Sequence, residues 1–229
     1  MNWLLARISK MTIGEVITRG HKYVFNYFDS LKFRDPGKWP YSKIGNGLRI
    51  SFFPLLKPLS THELGEFQIF DRAIDLTSPI DWFDSINGNR WSNSISSKIK
   101  YRPGNHVGDI RFNWELNRLQ FLPLLALTNE DRTIFFISDW LDKNKYLHGP
   151  SYLSSLEVAL RWISLYRAVC FLEKPTPESL TNNLTGLAVA SGDFIEKRLS
   201  THSSAGNHLI LEAIGLFWIG KSLEKKGKG

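Results

Sequence analysis

The segment YLSSLEVALRWISLYRAVCFLE, residues 152–173, places apolar side chains at helical spacing along its whole length. Pro150 precedes the segment and Pro175 follows it, so residues that interrupt helices mark both of its ends. Ser151 lies where a helix N-cap is expected. We therefore predict a long α-helix here.

The segments on either side share this periodicity. Residues 112–127, 130–144, 178–199 and 207–225 also carry apolar side chains at helical spacing, and the breaks between them are short. Short connections favour antiparallel neighbours. The pattern after Asp109 predicts a mainly α protein built from stacked antiparallel helical hairpins.

Residues 35–108 show no lasting helical period, because prolines and glycines recur throughout. This composition predicts an irregular, partly extended segment with turns at Asn46-Gly47 and Asn87-Gly88 and a short strand within 48–53. Its tryptophans are expected to be buried anchors, with sugar stacking as the alternative; they are Trp39, Trp82 and Trp91.

An amphipathic helix is predicted over residues 2–19, where Leu4, Ile8, Met11 and Val16 recur at roughly helical spacing. We expect its apolar side to pack on the domain and its charged side to face solvent. The alternative is a helix that lies on a membrane surface.

Length and composition favour a globular protein. The chain has 229 residues, of which 42% are hydrophobic, enough for a sizeable core. The single cysteine, Cys170, lies in an apolar run and is predicted to be buried. No apolar run is long enough to cross a bilayer, and Arg7 interrupts the early one, so we expect no signal peptide, no integral membrane segment and a cytoplasmic protein.

The formal net charge of +7 is concentrated at the two ends of the chain. Residues 1–23 and 221–229 each carry +3, which leaves +1 for residues 24–220. A basic groove could still attract an acidic ligand. Since no nucleic-acid-binding motif is present, we expect no nucleic-acid partner.

Two predicted helices carry polar groups on one face. Glu115 and Arg118 are three residues apart and share a face, and Glu157 and Arg161, four residues apart, share a face of the 152–173 helix. Each glutamate thus has an arginine as its expected partner. The ordinary interpretation is a solvated ion-pair face on each helix.

The last predicted helix is apolar on nearly every side from Leu209 to Gly220, which indicates burial. Its polar exceptions, Asn207, His208 and Glu212, are grouped at the start. Glu212 lies four residues after His208 and could fix the imidazole tautomer through a hydrogen bond. Alternatively, Asn207 is an N-cap and His208 is structural. With the other two helices, the grouping indicates a polar cleft.

Three strings occur in the order and approximate spacing typical of heparinase II/III-like proteins. They are DIRFNWELNR at 109–118, SLEVALR at 155–161 and GNHLILEA at 206–213, and RISKMT at 7–12 also resembles the opening of bacterial members. The resemblance implies an incomplete α/α toroid over residues 109–229, preceded by an irregular N-terminal part, 1–108, that packs on it. In complete members an antiparallel β-sandwich region follows.

The resemblance also implies a chemistry, the cleavage of uronate-containing polysaccharides by β-elimination. Groups that neutralise the uronate carboxylate stabilise the enolate-like intermediate formed when the C5 proton leaves. The match assigns this role to Asn207 and His208, and the spacing of Glu212 from His208 makes Glu212 their expected support. It makes five residues shape a cleft that binds an acidic polysaccharide, namely Glu115, Asn117, Arg118, Glu157 and Arg161.

The family's proton-transferring tyrosine comes from a helix after the Asn-His motif, and this chain ends before such a helix. Many relatives also have an asparagine where Gly206 stands. We expect neither a metal nor a cofactor, and the family suggests the periplasm as the alternative location. Oligomeric state is not predicted.

Three functions compete. The first is the N-terminal portion of a lyase that is inactive alone, and the second is a helical module that binds acidic glycans without cleaving them. The third is a hydrolase, which needs two opposed carboxylates at the scissile bond. It ranks last because Glu115 and Glu157 each have an arginine nearby.

Overall fold

The protein is mainly helical in the computed structural model, which describes residues 11–53, 55–58, 64–202 and 205–225. The helices are α1 (Ile13–Lys32), α2 (Tyr41–Ile44), α3 (Ile110–Asn117), α4 (Leu122–Ala126), α5 (Glu130–Lys143), α6 (Ser155–Phe171), α7 (Glu178–Lys197) and α8 (Asn207–Ser222). Short 3-10 turns occupy Pro36–Lys38, Ser96–Lys98 and Pro150–Tyr152. The strands are β1 (Leu48–Ile50), β2 (Glu66–Ile69), β3 (Arg72–Asp75) and β4 (Leu223–Lys225).

Helix α6 is the central element, and it lies within the segment 152–173 predicted to be helical. It is buried on nearly every side, because α4, α7 and α8 all pack against it. The approach of α8 is close: a Cβ added to Gly215 would lie 2.8 Å from the Cβ of Ala159. Small residues at this crossing let the two helices approach closely.

A second close contact joins α2 to α7. A Cβ added to Gly186 of α7 would lie 1.5 Å from the Tyr41 carbonyl oxygen, and one added to Gly45 would lie 2.6 Å from the Gly186 nitrogen. The Tyr41 hydroxyl reaches further inward and donates to the Asn144 carbonyl oxygen at 2.7 Å. The contact between α2 and α7 therefore depends on two glycines about 140 residues apart in the sequence.

The helix predicted over 112–127 is divided in two, whereas those predicted at 130–144, 178–199 and 207–225 correspond to α5, α7 and α8. The division falls at Leu119, whose backbone is left-handed with φ 58°. A left-handed leucine costs about 1–2 kcal/mol, and this side chain is fully buried. Pro123 then stands in the first turn of α4, where its missing N–H does no harm.

The segment between α2 and α3 is irregular, as predicted. Strands β2 and β3 form an antiparallel hairpin, and β1 pairs with β4 near the other end of the described chain. Both expected turns carry a left-handed glycine, Gly47 and Gly88. Trp82 and Trp91 are fully buried anchors, which confirms that prediction, and Trp39 is partly buried.

Helix α1 is amphipathic and shares only residues 13–19 with the helix predicted over 2–19, and over the length of α1 the polar side packs on the protein, not the apolar side that the prediction expected to pack. Its exposed side is apolar, with Ile13, Ile17 and Phe28 more than half exposed, and its polar side faces the protein. The reason is that the inner side meets polar partners from the segment after α7. Leu4 and Ile8 of the predicted helix lie outside the described residues.

Helix α8 also differs from its prediction. The apolar run Leu209–Gly220 was expected to be buried, yet Ile210 and Phe217 are more than half exposed, while Glu212 is fully buried. Only one side of the helix packs on α6 and α7. Among the described helices, none is long and apolar enough to cross a membrane.

Candidate functional site

A cavity of about 710 Å³ lies between the inner side of α1, helix α3 and the first turns of α6 and α8. Its lining combines charged and aromatic side chains. The cations are Lys22, Arg111, Arg118 and Arg198, the carboxylates are Glu115 and Glu157, and the aromatic residues are Phe70, Tyr101 and Trp114. His208 completes the wall on the α8 side.

Arg118 is the centre of the charge cluster on the cavity wall. Its Nε donates to Glu157 Oε2 at 2.6 Å and its Nη2 to Glu157 Oε1 at 3.1 Å, a bidentate pair, while Nη1 contacts Glu115 Oε1. Although burial opposes the effect, the two carboxylates raise the pKa of Arg118. The guanidinium stays charged, and it holds both carboxylates in fixed positions.

This arrangement corrects the expected pairing of Glu157 with Arg161. Glu115 and Glu157 both pair with Arg118, whose guanidinium occupies the space between them. A glycoside hydrolase needs that space for the sugar and for water. The geometry therefore argues against the hydrolase alternative.

Two helix N-termini meet at the cavity without side-chain caps. Ser154 precedes α6 and Gly206 precedes α8, and neither N-cap makes a side-chain hydrogen bond to its helix. Gly206 has φ 93°, and Asn207 is the first helical residue, not the N-cap predicted for it. The first N–H groups of α8 thus have no intrahelical acceptor, and they carry the positive end of the helix dipole.

His208 and Asn207, the predicted carboxylate-neutralising pair, take different positions. His208 is exposed and lines the cavity together with Arg118, Glu115 and Glu157. Asn207 is exposed on the same turn but is not part of the cavity wall. The structure thus brings only His208 of the pair to the cavity.

Glu212 was expected to orient His208, and it makes other contacts instead. Its buried carboxylate accepts hydrogen bonds from the Ser155 hydroxyl at 2.6 Å, the Ser200 backbone N–H at 2.6 Å and the Ser200 hydroxyl at 2.7 Å. These bonds join α8 to the first turn of α6 and to the segment after α7. Glu212 therefore holds Ser155 and Ser200, two residues of the cavity wall, in place, and it does not orient the His208 imidazole.

Asn117 and Arg161, both predicted to bind substrate, lie beneath the cavity in the core. Asn117 donates to the Trp82 carbonyl oxygen at 2.9 Å and accepts from Trp140 Nε1 at 2.8 Å. Arg161 stacks on the ring of Trp140, donates to the Ser151 carbonyl oxygen at 3.0 Å, and its pKa is lowered by burial. Neither side chain lines the cavity.

The sequence analysis did not identify Lys22 and Arg198 as site residues, because their partners are distant in sequence. Lys22 of α1 donates to the Leu199 carbonyl oxygen at 2.6 Å, and burial lowers its pKa, an effect that Glu212 opposes. Arg198 contacts Asn26 and Asp29, and its buried Nη1 has no hydrogen-bond partner in the described part of the chain. The only local signal is the polar stripe of α1.

The aromatic residues form a second type of surface in the cavity. The rings of Tyr101 and Trp114 lie 5.9 Å apart between centroids, tilted by 50°. Aromatic faces with polar edges suit contact with the apolar faces of sugar rings. The cavity therefore offers cationic groups, aromatic faces and the start of a helix whose N-cap residue, Gly206, makes no side-chain hydrogen bond to it.

Over the described ranges, no group of three or more His, Cys, Asp or Glu side chains is arranged to hold a metal ion. No family model matches the sequence, and neither the curated proteins nor the solved structures contain a match. The similarity to heparinase II/III-like proteins consequently remains a prediction that the three sequence motifs carry.

Proposed function

We propose that the cavity binds a uronate-containing polysaccharide, and that the chain supplies the carboxylate-neutralising part of a lyase site on an incomplete α/α toroid of antiparallel helical hairpins. One observation carries the proposal. His208, on the uncapped first turn of α8, lines the same cavity as the cluster formed by Arg118, Glu115 and Glu157. The four residues come from all three sequence motifs on which the resemblance rests, 109–118, 155–161 and 206–213.

The chemistry required is the binding of a sugar carboxylate. A carboxylate at the start of α8 would meet the first backbone N–H groups of the helix, which have no intrahelical acceptor, and the positive end of the helix dipole. His208 adds a hydrogen-bond donor there, and Lys22 adds a positive charge on the facing wall. Neutralising the carboxylate in this way stabilises the enolate-like intermediate that forms when the C5 proton is removed.

The Arg118 cluster has a different role in this proposal. Because two carboxylates already hold its guanidinium, Arg118 has lost much of its capacity to pair with a sugar carboxylate. The Glu115 carboxylate can instead accept a hydrogen bond from a sugar hydroxyl, with Trp114 beside it, while buried Glu157 holds Arg118 in place. The cluster thus positions the sugar, and the start of α8 binds its charge.

We expect binding without turnover from the 229-residue chain. Elimination needs a base beside the C5 proton and an acid beside the leaving oxygen, and the resemblance assigns that work to a tyrosine on a helix after the Asn-His motif. Tyr101 is the phenol in the described cavity wall, and it lies on the side of Trp114. A chain continued by the tyrosine-bearing helix and β-sandwich region of that family is expected to cleave.

The alternative is a module that binds acidic glycans and never cleaves them. The exposed position of Asn207 outside the cavity wall favours this alternative, as does the engagement of Glu212 with Ser155 and Ser200. Both functions share the same binding site. They differ in whether a proton is transferred.

Calorimetric titration with oligosaccharides of heparan type, hyaluronan, alginate and bacterial exopolysaccharide tests the binding. We expect at least one uronate series to bind and His208→Ala to weaken it roughly tenfold to a hundredfold, the effect of one hydrogen bond to a charged group. His106→Ala is the matched control, because His106 is an exposed histidine outside the cavity. Equal losses in both variants, or no binding to any series, would disprove the proposed site.

The ultraviolet absorbance of the unsaturated uronate product tests for cleavage in the same samples. No increase is expected from the 229-residue chain. Steady product formation that His208→Ala abolishes would show that the chain is a complete catalyst. Adding Tyr101→Phe would then decide whether Tyr101 transfers the proton.

A further inference from the structure

Helix α1 exposes its apolar side and buries its polar side. Its less exposed positions are all polar, namely Glu15, Thr18, Lys22, Asn26, Asp29 and Ser30. Its large apolar side chains are all at least a third exposed, and they include Ile13, Ile17, Val24, Tyr27, Phe28 and Leu31. An amphipathic helix on a globular protein normally has the opposite orientation.

Specific contacts fix this orientation. Lys22 donates to the Leu199 carbonyl oxygen at 2.6 Å, the Thr18 hydroxyl lies 3.2 Å from His202 Nε2, and Asp29 forms a buried ion pair with Arg198. All three contacts point to the segment after α7. Turning the helix over would leave the buried Arg198 guanidinium without its carboxylate, so the apolar side is held outward.

The exposed apolar side is broad. Viewed down the helix axis, with about 100° between successive residues, the exposed apolar side is bounded by Tyr23 on one edge and Phe28 on the other. The arc between these two residues is roughly 140°. That width exceeds the narrow seam of a two-helix coiled coil, which uses two positions in seven. It suits a helix that lies in a planar apolar boundary.

Cations lie at both borders of this side. Arg19 flanks one edge, where it is ion-paired with Glu15 on the inner side, and Lys32 flanks the other edge next to His21; Glu196 of α7 lies near His21 on that edge. At the end of α1, the amines of Lys32 and Lys43 both lie over the Trp39 ring, 5.3 and 5.6 Å from its centroid. The sequence before α1 adds Arg7 and Lys10 and no acidic residue.

From these features we propose that α1 binds the surface of an anionic lipid bilayer, with its apolar side in the boundary between headgroups and acyl chains. The side chains of Val24 and Phe28 enter the apolar layer, and the bordering cations meet lipid phosphates. Tyr23 and Tyr27 suit the headgroup level, since each combines an apolar ring with a polar hydroxyl. Two copies of α1 would instead bring cations of like sign together along the seam, which disfavours self-association.

Flotation with lipid vesicles tests the proposal on the full 229-residue protein. One vesicle population is phosphatidylcholine alone, and the other is equal parts of phosphatidylcholine and phosphatidylglycerol. We expect the protein to float with the anionic vesicles, and to bind them less as salt rises. Because the removal of two apolar side chains weakens burial strongly, Val24→Ser with Phe28→Ser should lower the partition coefficient at least about tenfold.

The matched control is Ile214→Ser with Phe217→Ser on α8, where one aliphatic and one aromatic side chain, 40% and 59% exposed, are likewise replaced by serine. This control should float like the unchanged protein, and circular dichroism checks that both variants remain folded. Absence of flotation, or flotation that the Val24 and Phe28 changes leave intact, overturns the proposal. So does self-association that those changes abolish in a protein that binds no vesicles, since the partner would then be a second copy.

Discussion

The guanidinium of Arg198 lies 2.5 Å from the carboxylate of Asp29, and this buried ion pair joins the end of α7 to α1. Arg198 also donates to Asn26 at 2.9 Å and stacks on Phe194, 4.2 Å from the ring centroid. One side chain thus connects a surface helix to the core and forms part of the cavity wall.

Asp29→Ala is expected to destabilise the protein by about 3–5 kcal/mol, because it leaves a buried guanidinium unpaired. Urea denaturation monitored by tryptophan fluorescence measures the change. Asp131→Ala removes an exposed carboxylate from Lys174 and is the control, with an expected loss below about 1 kcal/mol. Equal losses would mean that the Asp29–Arg198 pair does not hold α1.

Gly186→Ala is expected to cost more than about 3 kcal/mol, since the added methyl group would overlap the Tyr41 carbonyl oxygen and force α2 away from α7. Gly220→Ala places the same methyl group in α8, where nothing lies within 4 Å, and should stabilise by about 0.5–1 kcal/mol. Thermal melting of both variants gives the comparison. A tolerated Gly186→Ala would contradict the close packing of α2 on α7.

Measuring both melting temperature and glycan affinity for each variant distinguishes the predicted site residues that lie in the core from those that line the cavity. Arg161→Lys and Asn117→Ala should lower the melting temperature without changing glycan affinity in the protein that remains folded, because neither side chain lines the cavity. Glu157→Gln should weaken the bidentate pair with Arg118 and reduce affinity as well. If Arg161→Lys lowered glycan affinity without lowering the melting temperature, Arg161 would have to contact the glycan directly.

The Cys170 thiol should react slowly with iodoacetamide. Burial raises the pKa of Cys170 to about 11, and the opposing hydrogen bond with Tyr166 is weaker. At pH 8 the rate is expected to be roughly a hundredfold or more below that of a free cysteine, since the thiolate is the nucleophile. The rate should rise with pH towards 11 and reach the ordinary value in urea. Rapid labelling of the folded protein at pH 8 would contradict this.

The same pKa shift gives a direction for stability. The folded state retains the Cys170 proton to higher pH than the unfolded state does, so this contribution to stability is present below about pH 9 and is lost as the pH rises towards 11. Cys170→Ser should reduce this loss, as seen by urea denaturation at several pH values. The unchanged protein at pH 7 provides the reference.

Local signals predicted much of the helical part. Helices α5, α6, α7 and α8 were located from apolar spacing and bounding prolines, which depend only on nearby residues. The break at Leu119 was missed, because its left-handed backbone is maintained by burial of the side chain in the core. The continuation of α1 to Lys32 and its outward apolar side were missed, because its polar partners, Arg198 and Leu199, come from more than 160 residues later.

In the candidate site, too, contacts between residues close in sequence were predictable, whereas contacts between distant residues were not. The contact of Glu115 with Arg118 follows from their spacing of three residues, whereas the contact of Arg118 with Glu157 spans 39 residues and required the fold. The polar partners of Arg161 and Asn117, such as Ser151 and Trp140, were also invisible to local spacing. Polar side chains satisfied by distant groups therefore resembled site residues in the sequence.

The pairing of β1 with β4 bears on how the protein is made. Leu48 lies opposite Lys225, and the Ser51 backbone N–H donates to the Ser222 carbonyl oxygen at 2.7 Å. At about 5–20 residues per second, a ribosome needs roughly 10–35 seconds to synthesise the intervening chain. During that interval β1 lacks its partner strand, and its open backbone edge can pair with another chain until β4 emerges.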